Sequence, residues 1–226
     1  MLLALPRAEY AALRPLLEQR HVVVEQVLYE PDRPIAFVYF PQSSVMAVTL
    51  GVTQRRVTVE VATIGREGFI GLPVFLNTDH DTTRTFVQGA GVVSRMRASV
   101  FRQLLKRGGQ LPLLLQRYTQ VVISHIVQAA ACNQAHSIGE RCARWLLLTH
   151  DRVDGDQFDL KQEFLGHMLG VHRTGVSKAA GTLRQAKLIR YSRGRIQVRN
   201  RAGLESAACE CYGIMVREYD RHLSLN

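Results

Sequence analysis

The spacing of apolar residues changes character several times along the chain, and each change predicts an element. Leu3, Ala4, Tyr10, Leu13, Leu16 and Leu17 recur at helical spacing and predict a helix over 3–20, with Pro15 limiting its regularity. From about residue 21 to 100, short runs rich in Val, Phe and Tyr follow one another at 22–24, 37–40, 45–49, 57–61, 85–88 and 92–96. Turn formers separate them: Pro31-Asp32, Pro34, Pro41, Gly51, Gly65, Gly68, Gly71, Gly89 and Gly91. Many short strands at even spacing predict a small antiparallel barrel or jelly roll. Helical periodicity then returns at 98–105. After Gly108-Gly109 it runs from Pro112 to about Ser137, with Leu114, Leu115, Tyr118, Val121, Val122, Ile126, Ala129 and Ala130 spaced as in a helix that meets a partner helix.

Beyond a further amphipathic helix at 139–148 and a polar loop at 151–156, residues 162–179 have the spacing of two short crossed helices. Leu165, Leu169, Val171, Val176 and Ala179 are apolar where such helices must touch. Gly166 is small where they come closest, and Gly170 occupies the turn, where a positive φ is easiest without a Cβ. Arg173, Thr174, Ser177 and Lys178 are left on the outer face of the second helix. A helix-turn-helix with such a face can enter a DNA major groove. Residues 187–198 alternate around Gly194 and predict a hairpin, or wing, and a terminal helix starts at Arg201.

Charge strengthens the nucleic-acid reading. The chain has 226 residues and a formal net charge of +10. Between Lys161 and Arg201 ten Lys and Arg face a single acid, Glu163, a net of +9 in the segment that holds the two crossed helices. Phosphate neutralisation with counterion release is the natural use of such a field. A hydrophobic content of 46% excludes wholesale disorder. No segment reaches the roughly 20 apolar residues that span a bilayer, and the first seven residues lack the basic start of a signal peptide, so no membrane partner and a cytoplasmic location are expected. No nucleophile elbow, P-loop, metal triad or paired acid and base occurs, which argues against an enzyme.

Four cysteines, Cys132, Cys142, Cys209 and Cys211, are too few and too scattered for a disulfide framework. Cys132 and His136 have the i, i+4 spacing of helical metal ligands, and Cys142 lies near enough in sequence to join them. A thiol- or metal-responsive regulator using these three residues is therefore an alternative reading, although two ligands do not make a site and no bound cofactor is expected. Cys209 and Cys211, on one regular helix, would point about 200° apart and could not chelate together.

Strands, a long helix and a winged helix-turn-helix, taken in that order, resemble the Crp/Fnr superfamily of bacterial transcription regulators. The resemblance covers nearly the whole chain. It is carried by Val38-Tyr39-Phe40-Pro41, Gly65-Arg66-Glu67-Gly68, Ala131-Cys132-Asn133-Gln134-Ala135-His136, Arg144-Trp145-Leu146-Leu147, Gln162-Glu163-Phe164-Leu165 and Cys209-Glu210-Cys211-Tyr212. It implies an α+β chain: a cyclic-nucleotide-binding-like jelly-roll or barrel sensor at 1–110, a dimerisation helix at 111–138 and a winged helix-turn-helix at 139–226. It also implies a homodimer that reads a near-palindromic site in double-stranded DNA, with RNA polymerase as a further partner.

By the same resemblance, base contacts fall on Arg173, Thr174 and Lys178, and phosphate contacts on His172, Ser177 and the wing residues Arg193 and Arg195. Arg173 can make a bidentate contact to guanine. Thr174 stands where family members often carry Glu. Cyclic-AMP binders of the superfamily place Gly-Glu beside a short barrel helix and Arg-Ser some ten residues on; here the counterparts are Gly71-Leu72 and Arg84-Thr85. Leu72 replaces the carboxylate that accepts from the ribose, and Ala129 and Ala130 stand where polar groups would meet adenine. A ribose hydroxyl buried without its acceptor costs about 1–3 kcal/mol, so an effector other than cyclic AMP, or none, is expected.

Overall fold

The structure, a computed structural model, describes residues 1–52 and 57–223, apart from the side chains of a few of them, Arg173 included. The helix expected over 3–20 is shorter. Helix α1 spans Arg7–Leu13, and Pro15 sits in a 3-10 turn, Arg14–Leu16. A proline ring clashes with the preceding turn and removes a donor, so the helix cannot run through it. The chain is already in strand β1, Glu18–Val22, where the helix was expected to continue.

Six further strands follow: β2 (Val27–Tyr29), β3 (Phe37–Pro41), β4 (Val45–Val52), β5 (Val57–Ile64), β6 (Arg84–Gly89) and β7 (Gly91–Arg97). They form two antiparallel sheets, ordered β1-β7-β3 and β2-β6-β4-β5. The Tyr39–Ile70 bridge joins the loop after β5 to β3. Inward positions of the strands fill the space between the sheets with Val38, Phe40, Met46, Val87, Val93 and Met96. Phe40, Phe69 and Phe101 stack in series, with centroids 5.0 and 5.2 Å apart. A one-turn helix, α2 (Leu72–Phe75), starts at Gly71, where φ is +144° and a Cβ would lie 2.6 Å from the Val38 side chain.

Helix α3 (Ala98–Lys106) leads into the 26-residue α4 (Gln110–Ala135). The first amides of α4 are not capped by a neighbour in sequence. Glu9 of α1 accepts from Gln110 N–H at 2.8 Å and from Leu111 N–H at 3.3 Å, setting a carboxylate on the positive end of the helix. At the other end Ser137 opens α5 (Ile138–His150) with a reciprocal capping box to Glu140. That cap forces a corner between the two long helices.

The remaining elements are β8 (Gln157–Asp159), α6 (Gln162–Leu169), α7 (Arg173–Gln185), β9 (Ile189–Ser192), β10 (Arg195–Val198), α8 (Arg201–Ala207) and α9 (Cys211–Leu223). Their core gathers Leu146, Leu147, Leu165, Leu169, Val176, Ile196 and Leu204. The single terminal helix expected from Arg201 is two helices, broken where Ala208 takes an extended backbone (ψ 155°) and Cys209 turns inward. Helix α9 folds back onto α4: the His125 ring meets the Met215 carbonyl at 2.9 Å and packs edge-on against Tyr219.

Candidate nucleic-acid interface

The turn between α6 and α7 is built by its glycines. Gly170 adopts φ 63° and ψ 35°, the left-handed conformation that a Cβ disfavours. Val171 N–H then reaches the Gly166 carbonyl and Gly170 N–H the His167 carbonyl, closing the end of α6 with a Schellman pair. A Cβ on Gly166 would lie 3.1 Å from the Val171 carbonyl oxygen, so the small residue lets the turn close. Leu165, Leu169, Val176 and Ala179 are buried between the two helices. The outer face of α7 is therefore fixed by packing on its inner face.

That face presents Thr174, Ser177 and Lys178 to solvent, with His172 exposed at the N-cap. Ser177 Oγ lies 3.4 Å from Gln162 at the start of α6. Arg173 is the first helical residue of α7; its side chain lies outside the described residues. Beside the helix pair, β8, β10 and β9 form a three-stranded sheet. Arg193 (φ 50°) and Gly194 (φ 75°) make the tight turn at its tip. Arg195 donates to Asp159 on β8 at 2.8 Å, an exposed pair that water and salt weaken. The register pairs Arg190 with Gln197 and Ser192 with Arg195, so these four, with Gln157, line one shallow polar face. Sequence reading missed Arg190, Gln157 and the whole of β8. Two-residue alternation across the hairpin was the signal for Arg190; three residues after a polar loop gave none for β8.

Within the barrel, a cavity of about 340 Å³ opens beside α2. Gly71, Leu72 and Thr85 line it, together with Val122 and Ile126 of α4. Arg84 does not. Alternation along β6 turns Thr85 inward and Arg84 outward, onto Glu30 at 3.2 Å. The helix residues facing the cavity are also one to two turns earlier than the expected Ala129 and Ala130.

Residues 140–207 match the model of the Crp-like helix-turn-helix domain. Among solved structures, FixK2 from Bradyrhizobium japonicum aligns with a TM-score of 0.72 at 17% identity, over 85% of this chain and 98% of that one. TTHB099, a CRP-family transcriptional regulator from Thermus thermophilus, aligns with a TM-score of 0.67 at 16% identity, over 92% and 100%. The c-di-GMP-responsive regulator CLP from Xanthomonas campestris aligns at 0.66 and 12%, over 85% and 99%. Residues 140–207 therefore carry a Crp-like helix-turn-helix domain, and the chain as a whole shares the fold of these regulators. No curated protein sequence matches it.

The helix-turn-helix unit is docked on the barrel. Trp145 on α5 donates to Glu60 on β5 at 2.9 Å, and Arg152 donates to Glu67 at 2.7 Å. Phe164 of α6 meets Phe86 of β6 edge to face at 5.4 Å. Burial raises the Glu60 carboxyl above its usual range. Burial acts the same way on Glu67, but the Arg152 charge and the Gly65 amide outweigh it and hold that carboxyl low. These contacts give the barrel a mechanical hold on the α6–α7 pair.

The three residues of the thiol alternative do not come together. Cys142 is sealed in the core of the helix-turn-helix unit, where burial pushes its thiol up to about 12. Cys132 and His136 instead meet Cys209 and Cys211. The helix break at 208–210 removes the 200° separation that a continuous helix would have imposed.

Proposed function

We propose that the chain is a Crp/Fnr-type DNA-binding transcription regulator that acts as a homodimer and reads a near-palindromic site with one α7 helix from each protomer. The observation that carries the reading is the solvent face of α7. Thr174, Ser177 and Lys178 stand exposed on a helix locked from below, inside a segment of net charge +9. In this reading Arg173, Thr174 and Lys178 meet base edges. His172, Ser177, Arg193 and Arg195 meet phosphates, and Arg190 joins the wing contacts. The Asp159–Arg195 pair is exposed enough for a phosphate to displace the carboxylate.

The dimer is supported by α4. Ile123, Ile126 and Val127 are 52%, 40% and 63% exposed, an apolar stripe on the face turned away from α9. Large apolar side chains at i, i+3 and i+4 on one long helix suit a two-helix seam. Ile126 also walls the barrel cavity, so a ligand there would press on the seam. Leu72 lines the cavity where a ribose acceptor was expected and Arg84 lies outside it, while the polar lining comes from Tyr29, Thr78, His80, Asp81, Thr83 and Thr85. We therefore assign the cavity a small effector other than cyclic AMP, or none. No helix among the described residues is long and apolar enough to cross a membrane. The proposed place of action is the cytoplasm, beside RNA polymerase, with no catalytic role.

Genome-wide footprinting with the full chain tests the proposal. Protected sites should show two-fold sequence symmetry, and Lys178→Ala should weaken them. Absence of any protected site would refute it. Thermal shifts with cyclic mono- and dinucleotides test the cavity, since a ligand that binds the native state raises the melting temperature. A strong cyclic-AMP shift would contradict the pocket assignment.

A further inference from the structure

Four ligand-type side chains from distant parts of the sequence meet where α4 ends. One ligand atom each from Cys132, His136, Cys209 and Cys211 lies within 4.8 Å of all the others. Cys132 lies in the last turn of α4, and His136, four residues on, is the extended residue that ends the helix. Cys209 sits in the break between α8 and α9, and Cys211 is the first residue of α9. The break lets both thiols turn to the same point.

Two of the six edges of this cluster have the lengths of a tetrahedral site, and none exceeds 4.8 Å. Cys132 Sγ and Cys209 Sγ are 3.5 Å apart, and Cys211 Sγ and His136 Nδ1 are 3.6 Å apart. Zinc bonded at about 2.3 Å to sulfur and 2.0 Å to nitrogen sets its ligands roughly 3.5–3.8 Å from one another. The second ring nitrogen of His136 is also engaged: Nε2 lies 3.2 Å from the Glu210 carboxylate. A carboxylate on one nitrogen fixes the tautomer that leaves the other free for a metal. Gln128 donates to Cys211 Sγ at 3.1 Å. Three thiolates and a neutral imidazole around a divalent ion leave one negative charge. The guanidinium charges of Arg141 and Arg144 act on Cys132, and the Nε of each is buried without a partner.

We infer that Cys132, His136, Cys209 and Cys211 form a closed four-ligand site for one thiophilic divalent cation of the zinc class, which staples the end of the α4 helix to the α8–α9 corner. All four positions are filled by protein, which suits a structural ion and leaves no open position for catalysis. The staple lies beside Ser137, the corner between the α4 helix and the helix-turn-helix unit. It sets the direction in which that unit leaves the long helix. A Cys132–Cys209 disulfide is the competing use of the same atoms.

The test uses the full chain, purified under reducing conditions. Metal content should be one zinc per chain. After stripping, titration with Co²⁺ should give the intense visible bands of a tetrahedral thiolate-bound ion, saturating at one equivalent. Cys211→Ser should abolish the bands, whereas Cys142→Ser, outside the site, should keep them. His136→Cys should keep a tetrahedral spectrum with stronger sulfur charge transfer, which separates ligand loss from misfolding. Glu210→Gln should weaken Co²⁺ binding about tenfold. No bound zinc and no tetrahedral cobalt spectrum in the folded, reduced chain overturns the inference. So does a spectrum that Cys211→Ser leaves unchanged, or a Cys132–Cys209 disulfide that forms in place of metal binding when Zn²⁺ is supplied.

Discussion

Gly170 and Lys178 separate two kinds of importance within nine residues. Gly170 acts on the backbone. Its φ of 63° admits two closing hydrogen bonds, and a β-branched residue there would carry a left-handed penalty of about 1–2 kcal/mol. Gly170→Val should therefore shift urea unfolding to lower concentration by that amount and weaken DNA binding through misplacement of α7. Unchanged unfolding would mean that the turn does not depend on glycine. Lys178 acts through its charge. It is exposed, so Lys178→Ala should leave stability alone. If it contacts a phosphate, the slope of log affinity against log salt should fall by about one, uniformly across sequences. If it contacts a base, discrimination at one position should relax instead. Gel-shift titrations at graded salt distinguish the two, and no change in either quantity removes Lys178 from the interface.

Among the elements, the α4–α9 seam is sensitive to acid. His125 is largely buried between Met215 and Tyr219, and that burial lowers its pKa to about 4 despite the hydrogen bond to the Met215 carbonyl. The unfolded chain titrates this group near 6.5, so between about 6.5 and 4 the unfolded state binds more protons than the native state. Stability then falls as pH is lowered through that window, by on the order of 2–3 kcal/mol for a shift of this size. His125→Gln should flatten that part of the pH–stability curve measured by urea unfolding. An unchanged slope would place the acid sensitivity elsewhere.

The same scale shows what the sequence made legible. The barrel strands, the long helix, the two crossed helices and the wing were all readable, because each repeats an apolar period over several residues or carries a glycine where φ must be positive. Misreadings occurred where a long-range contact overrides the local pattern. The expected helix over 3–20 ends early because β7 claims residues 18–22 as a strand partner. The terminal helix breaks at 208–210, where Cys209 and Cys211 turn toward Cys132, some 77 residues away in sequence. Arg84 was expected in the cavity and faces Glu30, since two-residue alternation cannot say which of two neighbours points inward.

Across the whole molecule, three regions are tied together. The barrel holds the helix-turn-helix unit through Trp145–Glu60 and Arg152–Glu67, and the α4 helix carries both a cavity wall and an exposed apolar stripe. Arg152 is the most exacting of these links, because its guanidinium is buried against Glu67. Arg152→Met should destabilise the chain by about 3–5 kcal/mol in urea unfolding, since it strands a buried carboxylate. The double replacement with Glu67→Leu should recover most of that loss, and failure to do so would show that the pair is not the source.

Whether the chain is a two-fold DNA reader paired through α4 is decided by DNA binding and oligomeric state measured together. Binding to a footprinted site is followed across a salt series, with the oligomeric state determined by sedimentation in the same buffers, for the wild-type chain and Ile123→Glu. The wild-type chain should be a dimer with a steep negative salt slope and a footprint over two half-sites roughly 34–36 Å apart. The Ile123→Glu chain should be a monomer that keeps its fold and loses the paired footprint. A flat slope, or a monomeric variant that still protects both half-sites, would contradict the two-fold reader.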